Sequence, residues 1–425
     1  MSKRQQSFPG PDDITRITIQ HGITILVRSN FNSPSVVIGG QLACGSLFDT
    51  DEKSGLADFT ALGLMRGTET RTFQQIFDAL ESVGAALSFG AGVHNTGFSG
   101  RSLTEDLPLM LNLLADVLRH PVFPTEQIER LRAQFLTSLA QRAQDTAEMA
   151  SITFDQMVFK GHPYARPEDG WPETIRAIQQ DDLADFHRRC FGPREMVIAL
   201  VGAIEPKDAV EQVTAALGDW TNIDQMKLPA LPPLKPIKKV VTTKIKIPGK
   251  SQADLVIGAS GPYRKDPDYI ADTLGNSALG QFGLGGRIGN VVREKSGLAY
   301  YASSTLNGGI GPGSWAVNAG VNPANVEKAR DLICKEIARF VEKGVTPEEL
   351  ADSQSNFIGR LPLSLESNSG VANALLNIER YDLGLDYFRR YPDMVRAVTP
   401  EQVLRLCGNT WIRNGRPSRL PDRNK

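Results

Sequence analysis

The chain has 425 residues, more than one hydrophobic core usually serves, so two or more domains are expected. Its apolar content of 41%, charged content of 22% and formal net charge of −1 give no electrostatic reason to expect nucleic acid or an anionic membrane as a partner. Four cysteines are scattered without a CxxC pair, so neither a zinc ribbon nor a disulfide framework is indicated.

The chain carries no run of about 18 apolar residues, so no membrane span is expected. Its amino terminus has charged residues without the apolar segment of a signal peptide behind them. The compartment stays open: the sequence as it stands fits the cytoplasm, and a chain whose signal had been removed would fit the periplasm.

The first elements read as two strands, a third strand and a helix. Residues 14–30 alternate apolar and polar side chains around His21-Gly22, the pattern of a β-hairpin. The apolar run in 33–49 predicts a buried strand. Residues 54–68 then predict a helix, because Leu56, Phe59 and Leu62 recur on one face.

Two parts of the chain repeat one order of elements. The segments 84–92 and 95–103 predict two strands followed by two helices, and the segments 299–306 and 313–321 predict the same order. Residues 174–191 and 394–411 form a further echo. We therefore predict an α+β fold of two homologous halves, each a mixed, mostly antiparallel sheet with helices packed on it. The predicted domains are 12–226 and 240–416, joined by the proline-rich linker 227–239.

The stretch from Gly280 to Tyr301 is rich in glycine, and its first part predicts a flexible loop because glycine is unfavourable inside helices. A short helix is expected from Ile288, with Gly297 as its end and Arg293 in its last turn. Tyr300 then begins a strand. Arg293 and Tyr300 could face one cavity and donate hydrogen bonds to a developing oxyanion. Alternatively, Arg293 interacts with the helix dipole and Tyr300 packs in the core, which local spacing alone favours.

The helix at 55–68 contains the frame Gly-Leu-Ala-x-Phe followed by Gly-Thr, which resembles the zinc-binding helix of the inverzincin, pitrilysin-type M16 peptidases. In that family HxxEH lies in this frame, and a Glu from a later helix is the third ligand. The resemblance places the first His at Asp58, the catalytic Glu at Ala61 and the second His at Leu62, with the third ligand near Ser138 or Leu139. Alanine and leucine have no lone pair for a metal, so no metal or other cofactor is expected in this chain.

The resemblance extends to the glycine-rich stretch. In M16 peptidases the second half of the molecule supplies an Arg and a Tyr, seven residues apart, to the scissile carbonyl held at zinc in the other half. Arg293 and Tyr300, within REKSGLAY, match this pattern. The glycine run resembles the loop of non-catalytic subunits such as the alpha subunit of mitochondrial processing peptidase, which implies that Gly283, Gly285 and Gly286 contact substrate.

The resemblance spans roughly residues 14–412 and implies the metallohydrolase fold of the LuxS and mitochondrial processing peptidase type. It also implies an M16B-type, non-catalytic subunit that binds unfolded peptide in a heterodimer, with Zn²⁺ in an HxxEH-containing partner. An alternative is a structural or peptide-binding protein without a role in hydrolysis, comparable to the core subunits of respiratory complexes. A peptidase with a different active site, or a homodimer, also stays open.

Overall fold

The structure is a computed structural model that describes residues 8–235, 237, 239–281 and 285–405. These residues form two compact units that interleave along the chain. Unit 1 contains residues up to Ala140, Arg166–Ala230 and Leu361–Arg389; unit 2 contains Gln141–Ala165, Leu231–Arg360 and the described residues from Arg390 onward. The predicted domain bounds, 12–226, 227–239 and 240–416, stay a prediction, and residues 406–416 lie outside the described part of the chain.

Unit 1 is built on a mixed sheet. Its strands are β1 (Thr15–Thr18), β2 (Thr24–Ser29), β3 (Ser35–Leu42), β4 (Ala86–Ala91), β5 (Thr96–Leu103) and β6 (Val197–Gly202). Within the described residues these make a six-stranded sheet of order β1-β2-β6-β3-β5-β4. All neighbours are antiparallel except β2 and β6. The predicted hairpin is confirmed, with His21 and Gly22 at φ 63° and 91° in its turn.

Unit 2 contains a smaller sheet. Its strands are β7 (Ala253–Ser260), β8 (Ala299–Asn307) and β9 (Ser314–Val321). Among the described residues they form an antiparallel three-stranded sheet of order β7-β9-β8. The core beside this sheet includes the fully buried Trp315, whose Nε1 donates a hydrogen bond to Asn276 Oδ1 at 2.9 Å.

Helices cover both sheets, so the predicted α+β class is confirmed. They are α1 (Leu56–Gly63), α2 (Phe73–Glu81), α3 (Leu107–Arg119), α4 (Thr125–Arg142), α5 (Thr146–Val158), α6 (Pro172–Ala177), α7 (Gln180–Cys190), α8 (Pro206–Leu217), α9 (Tyr269–Asn276), α10 (Val326–Lys343), α11 (Pro347–Ser364), α12 (Asn368–Arg380) and α13 (Tyr387–Arg396). The order β4-β5-α3-α4 recurs as β8-β9-α10-α11, as the repeat predicts. None of the described helices is long and apolar enough to cross a membrane.

Helix α12 lies late in the sequence but belongs to unit 1, where it packs on β3 and β6. Its apolar face is buried, including Leu375 at 0% and Ile378 at 2% exposure. At its end, Arg380 Nε donates a hydrogen bond to Gln41 Oε1 on β3 at 2.8 Å. Helix α5 lies early in the sequence but belongs to unit 2, where it packs on β7. Each unit therefore contains a helix from the other half of the chain.

Candidate functional site

Helix α1 is fixed at its first turn by a buried carboxylate. Asp49 accepts hydrogen bonds from the backbone N–H groups of Gly55 at 2.9 Å and Ala57 at 3.0 Å, which occupy two of the donors that a helix start leaves free. Gly55 has φ 94°, a left-handed conformation that favours glycine. Burial raises the pKa of Asp49 to about 7. Sequence reasoning missed Asp49, because no helical spacing links it to α1.

The three positions on α1 that are predicted to correspond to HxxEH hold side chains that do not fit a zinc ion. Asp58 is half-buried, and its Oδ1 accepts a hydrogen bond from the N–H of Ala91 on β4 at 3.0 Å. Burial raises the pKa of this carboxyl group to about 6. Ala61 is fully buried in the core, and Leu62 packs against the same core. Only Asp58 has a donor atom for a metal, and that carboxylate already orders the end of a strand.

The predicted positions for a third ligand differ in exposure. Ser138 is exposed on α4, whereas Leu139 is 2% exposed and belongs to the core. Helices α1 and α4 meet through aromatic rings, with the centroids of Phe59 and Phe135 5.1 Å apart. In the part of the chain that the structure describes, no group of three or more His, Cys, Asp or Glu side chains is arranged to hold a metal ion.

The glycine-rich stretch begins in a helix, so the prediction of a loop at Gly280 is wrong. Gly280 lies in a buried π-helical turn, Ser277–Gln281. A Cβ at Gly280 would lie 2.7 Å from the backbone nitrogen of Ser304 on β8, and one at Gly286 would lie 2.6 Å from the Cα of Gly280. Close backbone packing thus accounts for both glycines. Gly285 is exposed, and Gly283 lies outside the described residues.

Arg293 lies in a second π-helical turn, Gly289–Glu294. The turn ends as predicted, because Gly297 adopts φ 60° and donates its N–H to the carbonyl oxygen of Arg293 at 2.9 Å. The guanidinium of Arg293 is 47% exposed, and its Nε lies 3.6 Å from the carboxylate of Glu294. An exposed ion pair of this kind holds the arginine weakly, so its donors can turn to another acceptor.

Tyr300 occupies a β-bulge in strand β8. Ala299 pairs with Val321 and Tyr301 pairs with Gly320, so Tyr300 is the extra residue between two paired positions. Its side chain is 83% exposed, which rules out the core role that local spacing favoured. Bulges re-aim side chains and are frequent beside active sites. A catalytic role for Arg293 and Tyr300 stays a prediction at this point.

Tyr301, next to the bulge, is engaged within unit 2. Its hydroxyl donates a hydrogen bond to Asp254 Oδ1 on β7 at 2.5 Å. Burial, together with this hydrogen bond, raises the pKa of the Tyr301 phenol. The two adjacent tyrosines therefore differ: one is fixed between two elements of unit 2, and the other projects to solvent.

Comparison with known proteins finds matches to two models of one peptidase family. Residues 24–167 match the family model described as insulinase, peptidase family M16. Residues 177–357 match the model described as the peptidase M16 inactive domain. Together the two matched segments take in every described strand except β1.

Individual relatives agree with these models. An uncharacterized zinc protease of Streptomyces coelicolor is 27% identical over 403 residues, which cover 93% of this chain and 86% of that protein. A probable mitochondrial-processing peptidase subunit beta of Arabidopsis thaliana is 24% identical over 301 residues, which cover 69% of this chain and 56% of that protein. The crystal structure of a peptidase M16 inactive domain from Pseudomonas fluorescens superposes with a TM-score of 0.86 at 27% identity, covering 93% of this chain and 94% of that one. The chain therefore belongs to the M16 peptidase family.

Proposed function

We propose that this chain is the non-catalytic subunit of a two-subunit zinc metallopeptidase and supplies Arg293 and Tyr300 to a partner that carries HxxEH. The observation that carries the proposal is a contrast within one molecule. The HxxEH positions hold Ala61 and Leu62, which cannot bind a metal, while Tyr300 projects to solvent from a bulge. The match to the M16 inactive domain and the zinc-protease names of relatives support this division of roles.

The proposed role of Arg293 and Tyr300 is to donate hydrogen bonds. Attack on a peptide bond places negative charge on the carbonyl oxygen, and preorganised donors lower the barrier by stabilising that charge. A guanidinium offers five N–H donors and a phenol offers one O–H. The partner's zinc site would supply the activated water, and this chain would contribute the oxyanion donors and part of the surface that grips an unfolded peptide.

Where a neighbouring gene encodes an HxxEH-containing M16 chain, the test combines that chain with this one. We expect peptide cleavage by the mixture, and a fall in kcat of about 10²–10³ for Arg293→Ala or Tyr300→Phe, the usual cost of removing one oxyanion donor. Size-exclusion chromatography should show that both variants still form the complex, because the substitutions remove exposed groups. Hydrolysis of a fluorogenic peptide measures kcat.

Matched controls lie in the same unit. Lys295→Ala removes an exposed cation close to Arg293 in sequence, and Tyr263→Phe removes a hydroxyl from another exposed tyrosine. Both should leave kcat within about twofold, since neither group is asked to stabilise the oxyanion. Wild-type turnover in the Arg293 and Tyr300 variants would contradict their role. A stable complex that never cleaves peptide would instead support the structural or peptide-binding alternative.

A further inference from the structure

Three residues, one from each strand of unit 2, form a row across its sheet. Asp254 on β7 pairs with Gly320 on β9, and Gly320 pairs with Tyr301 on β8. Side chains of directly paired residues lie on the same face of an antiparallel sheet. Strands β8 and β7 are two strand spacings apart, about 10 Å. The hydroxyl of Tyr301 therefore crosses the central strand to donate its hydrogen bond to Asp254 Oδ1.

Gly320 makes room for this crossing. It is buried in the middle of the row. A Cβ at Gly320 would lie 2.5 Å from Cε1 of Tyr301 and 2.7 Å from Nε2 of Gln252. The phenol ring thus occupies the space that a side chain on β9 would fill, and the glycine is required for the contact between β8 and β7.

The acceptor, Asp254, is itself held by two other side chains. Thr146, the first residue of α5, donates its hydroxyl to Oδ2 of Asp254. Gln252 donates from Nε2 to both carboxylate oxygens at 3.1 Å. The start of α5 is in turn capped by Asp145, whose carboxylate accepts hydrogen bonds from two backbone N–H groups at 2.9 and 3.0 Å. Asp254 is therefore fixed both from a helix and from its own strand.

The bulge in β8 gives this contact its importance. On both sides of the bulge β8 pairs regularly with β9, so Tyr300 and Tyr301 lie opposite the single residue Gly320. Both carry a phenol, so the residue types alone do not select which one occupies the paired position. In the structure Tyr301 is paired and half-buried, while Tyr300 is the extra residue and is exposed. A tyrosine fixed in the paired position leaves the bulge to its neighbour.

We propose that Tyr301 and Asp254 are positioning residues: their hydrogen bond fixes the bulge of β8 and so holds the hydroxyl of Tyr300 out of the sheet. This effect on the position of Tyr300 is independent of any activity. Its effect on hydrolysis rests on the proposed function, in which Tyr300 donates a hydrogen bond to the oxyanion. Such a donor contributes most when it is held in advance where the charge develops.

The first test observes Tyr300 directly in the full chain without a partner. The protein is labelled with meta-fluorotyrosine, and the fluorine NMR resonance of Tyr300 is assigned as the one that Tyr300→Phe removes. Asp254→Ala should shift or broaden this resonance, because Tyr301 loses its acceptor and the two tyrosines can exchange places. Tyr301→Phe should also change it, because the Tyr300 hydroxyl then competes for Asp254. Since Tyr301→Phe keeps the ring, it remains a valid test if Asp254→Ala does not fold.

Two control variants should keep the parental resonance of Tyr300. Asp254→Asn retains an oxygen that accepts the hydrogen bond of Tyr301. Thr305→Val removes a hydroxyl from the same strand, where it accepts a hydrogen bond from Asn318 Nδ2 at 3.2 Å. Circular dichroism and thermal unfolding check that each variant is folded. An unchanged Tyr300 resonance in the folded Asp254→Ala and Tyr301→Phe proteins overturns the proposal, as does an equal change in Thr305→Val.

The second test measures peptide hydrolysis by the mixed complex. Asp254→Ala and Tyr301→Phe should lower kcat by roughly 10- to 100-fold, since displacement of a group by about 1 Å can cost 10²-fold. KM should stay within about twofold, because both substitutions act on the orientation of Tyr300. In a Tyr300→Phe background neither should lower kcat further, since no hydroxyl is left to position.

The two tests separate this inference from the proposed function. A changed Tyr300 resonance with wild-type kcat would support the positioning role and contradict the catalytic role of Tyr300. A lowered kcat with an unchanged resonance would contradict the positioning role and leave the catalytic role of Tyr300 standing.

Discussion

Asp272 is a carboxylate that the fold buries without full compensation. It lies in α9 at 3% exposure, and its Oδ1 accepts no hydrogen bond from the residues that the structure describes. Burial raises its pKa to about 7, and the neighbouring Asp266 and Asp268 add to the effect. The helix leads into the π-helical turn at Ser277–Gln281.

Stability should therefore fall as pH rises towards 7. The folded chain holds a proton on Asp272 that the unfolded chain releases near pH 4, so the stabilisation is complete below about pH 4 and lost as pH passes the folded pKa of about 7. Asp272→Asn keeps a neutral side chain at every pH. It should raise the free energy of unfolding at pH 8 by about 1–3 kcal/mol and change it little at pH 4.

Urea denaturation of both proteins at a series of pH values measures this difference. The control is Asp352→Asn on α11, an exposed carboxylate. Its substitution should leave the pH profile of the parent chain unchanged. If the Asp272→Asn profile instead runs parallel to the parent profile from pH 4 to 8, the carboxyl group does not titrate as described.

The sequence predicted part of the candidate site through its resemblance to M16 peptidases. That resemblance placed Asp58, Ala61 and Leu62 at the HxxEH positions, where they are not expected to hold zinc together. It could not show that Asp58 accepts a hydrogen bond from Ala91, because that contact joins a helix to a strand at no fixed spacing. Likewise the exposure of Tyr300 depends on a bulge against β9, which is a property of strand pairing.

At the scale of elements, periodicity predicted the strands and helices well, but it failed at Gly280. Several glycines together usually indicate a loop, because they cost helix stability. Here Gly280 is needed for contact between backbones: its π-helical turn approaches β8 too closely for a side chain. The sequence pattern cannot separate these two uses of glycine.

Two glycine substitutions in unit 2 should act in opposite directions. Gly280→Ala places a Cβ 2.7 Å from the Ser304 backbone nitrogen and should destabilise the protein by about 1–3 kcal/mol, because backbone cannot move aside cheaply. Gly359→Ala, in α11, meets nothing within 4 Å and should stabilise by about 0.5–1 kcal/mol. Thermal unfolding measures both. A Gly280→Ala protein as stable as its parent would refute the packing explanation.

At the scale of the whole molecule, the repeat predicted two similar sets of elements but not their exchange of helices. A linear repeat shows which segments correspond, whereas the assignment of a helix to a sheet depends on contacts between distant residues. Leu376 shows the difference: its side chain lies near Gly39 of β3, although 337 positions separate the two in the chain. No local pattern records such a contact.

The exchange predicts that the first half of the chain is incomplete alone. A fragment of residues 8–235 lacks α12, so the apolar face of β3 and β6 loses the cover of Val371, Leu375 and Ile378. Each such side chain is worth about 1.5–3 kcal/mol when buried. We expect the fragment to bind the dye ANS and to unfold at a lower temperature than the full chain.

A synthetic peptide of residues 361–389 should reverse both effects when it is added to the fragment. The matched control is the same peptide with Leu375→Asp, which places a charge at a fully buried position and should not restore the fragment. A fragment that is as stable as the full chain and gains nothing from the peptide would show that α12 is dispensable for unit 1.

The two exchanged helices also determine the consequence of cutting the chain within the predicted linker 227–239. A protease that cut there would produce two polypeptides, one carrying α5 and the other carrying α12. Unit 2 would still contain α5 from the first polypeptide, and unit 1 would still contain α12 from the second. The nicked protein would thus be a non-covalent pair of interlocked fragments, so the continuity of the chain at the linker is separable from the integrity of the fold.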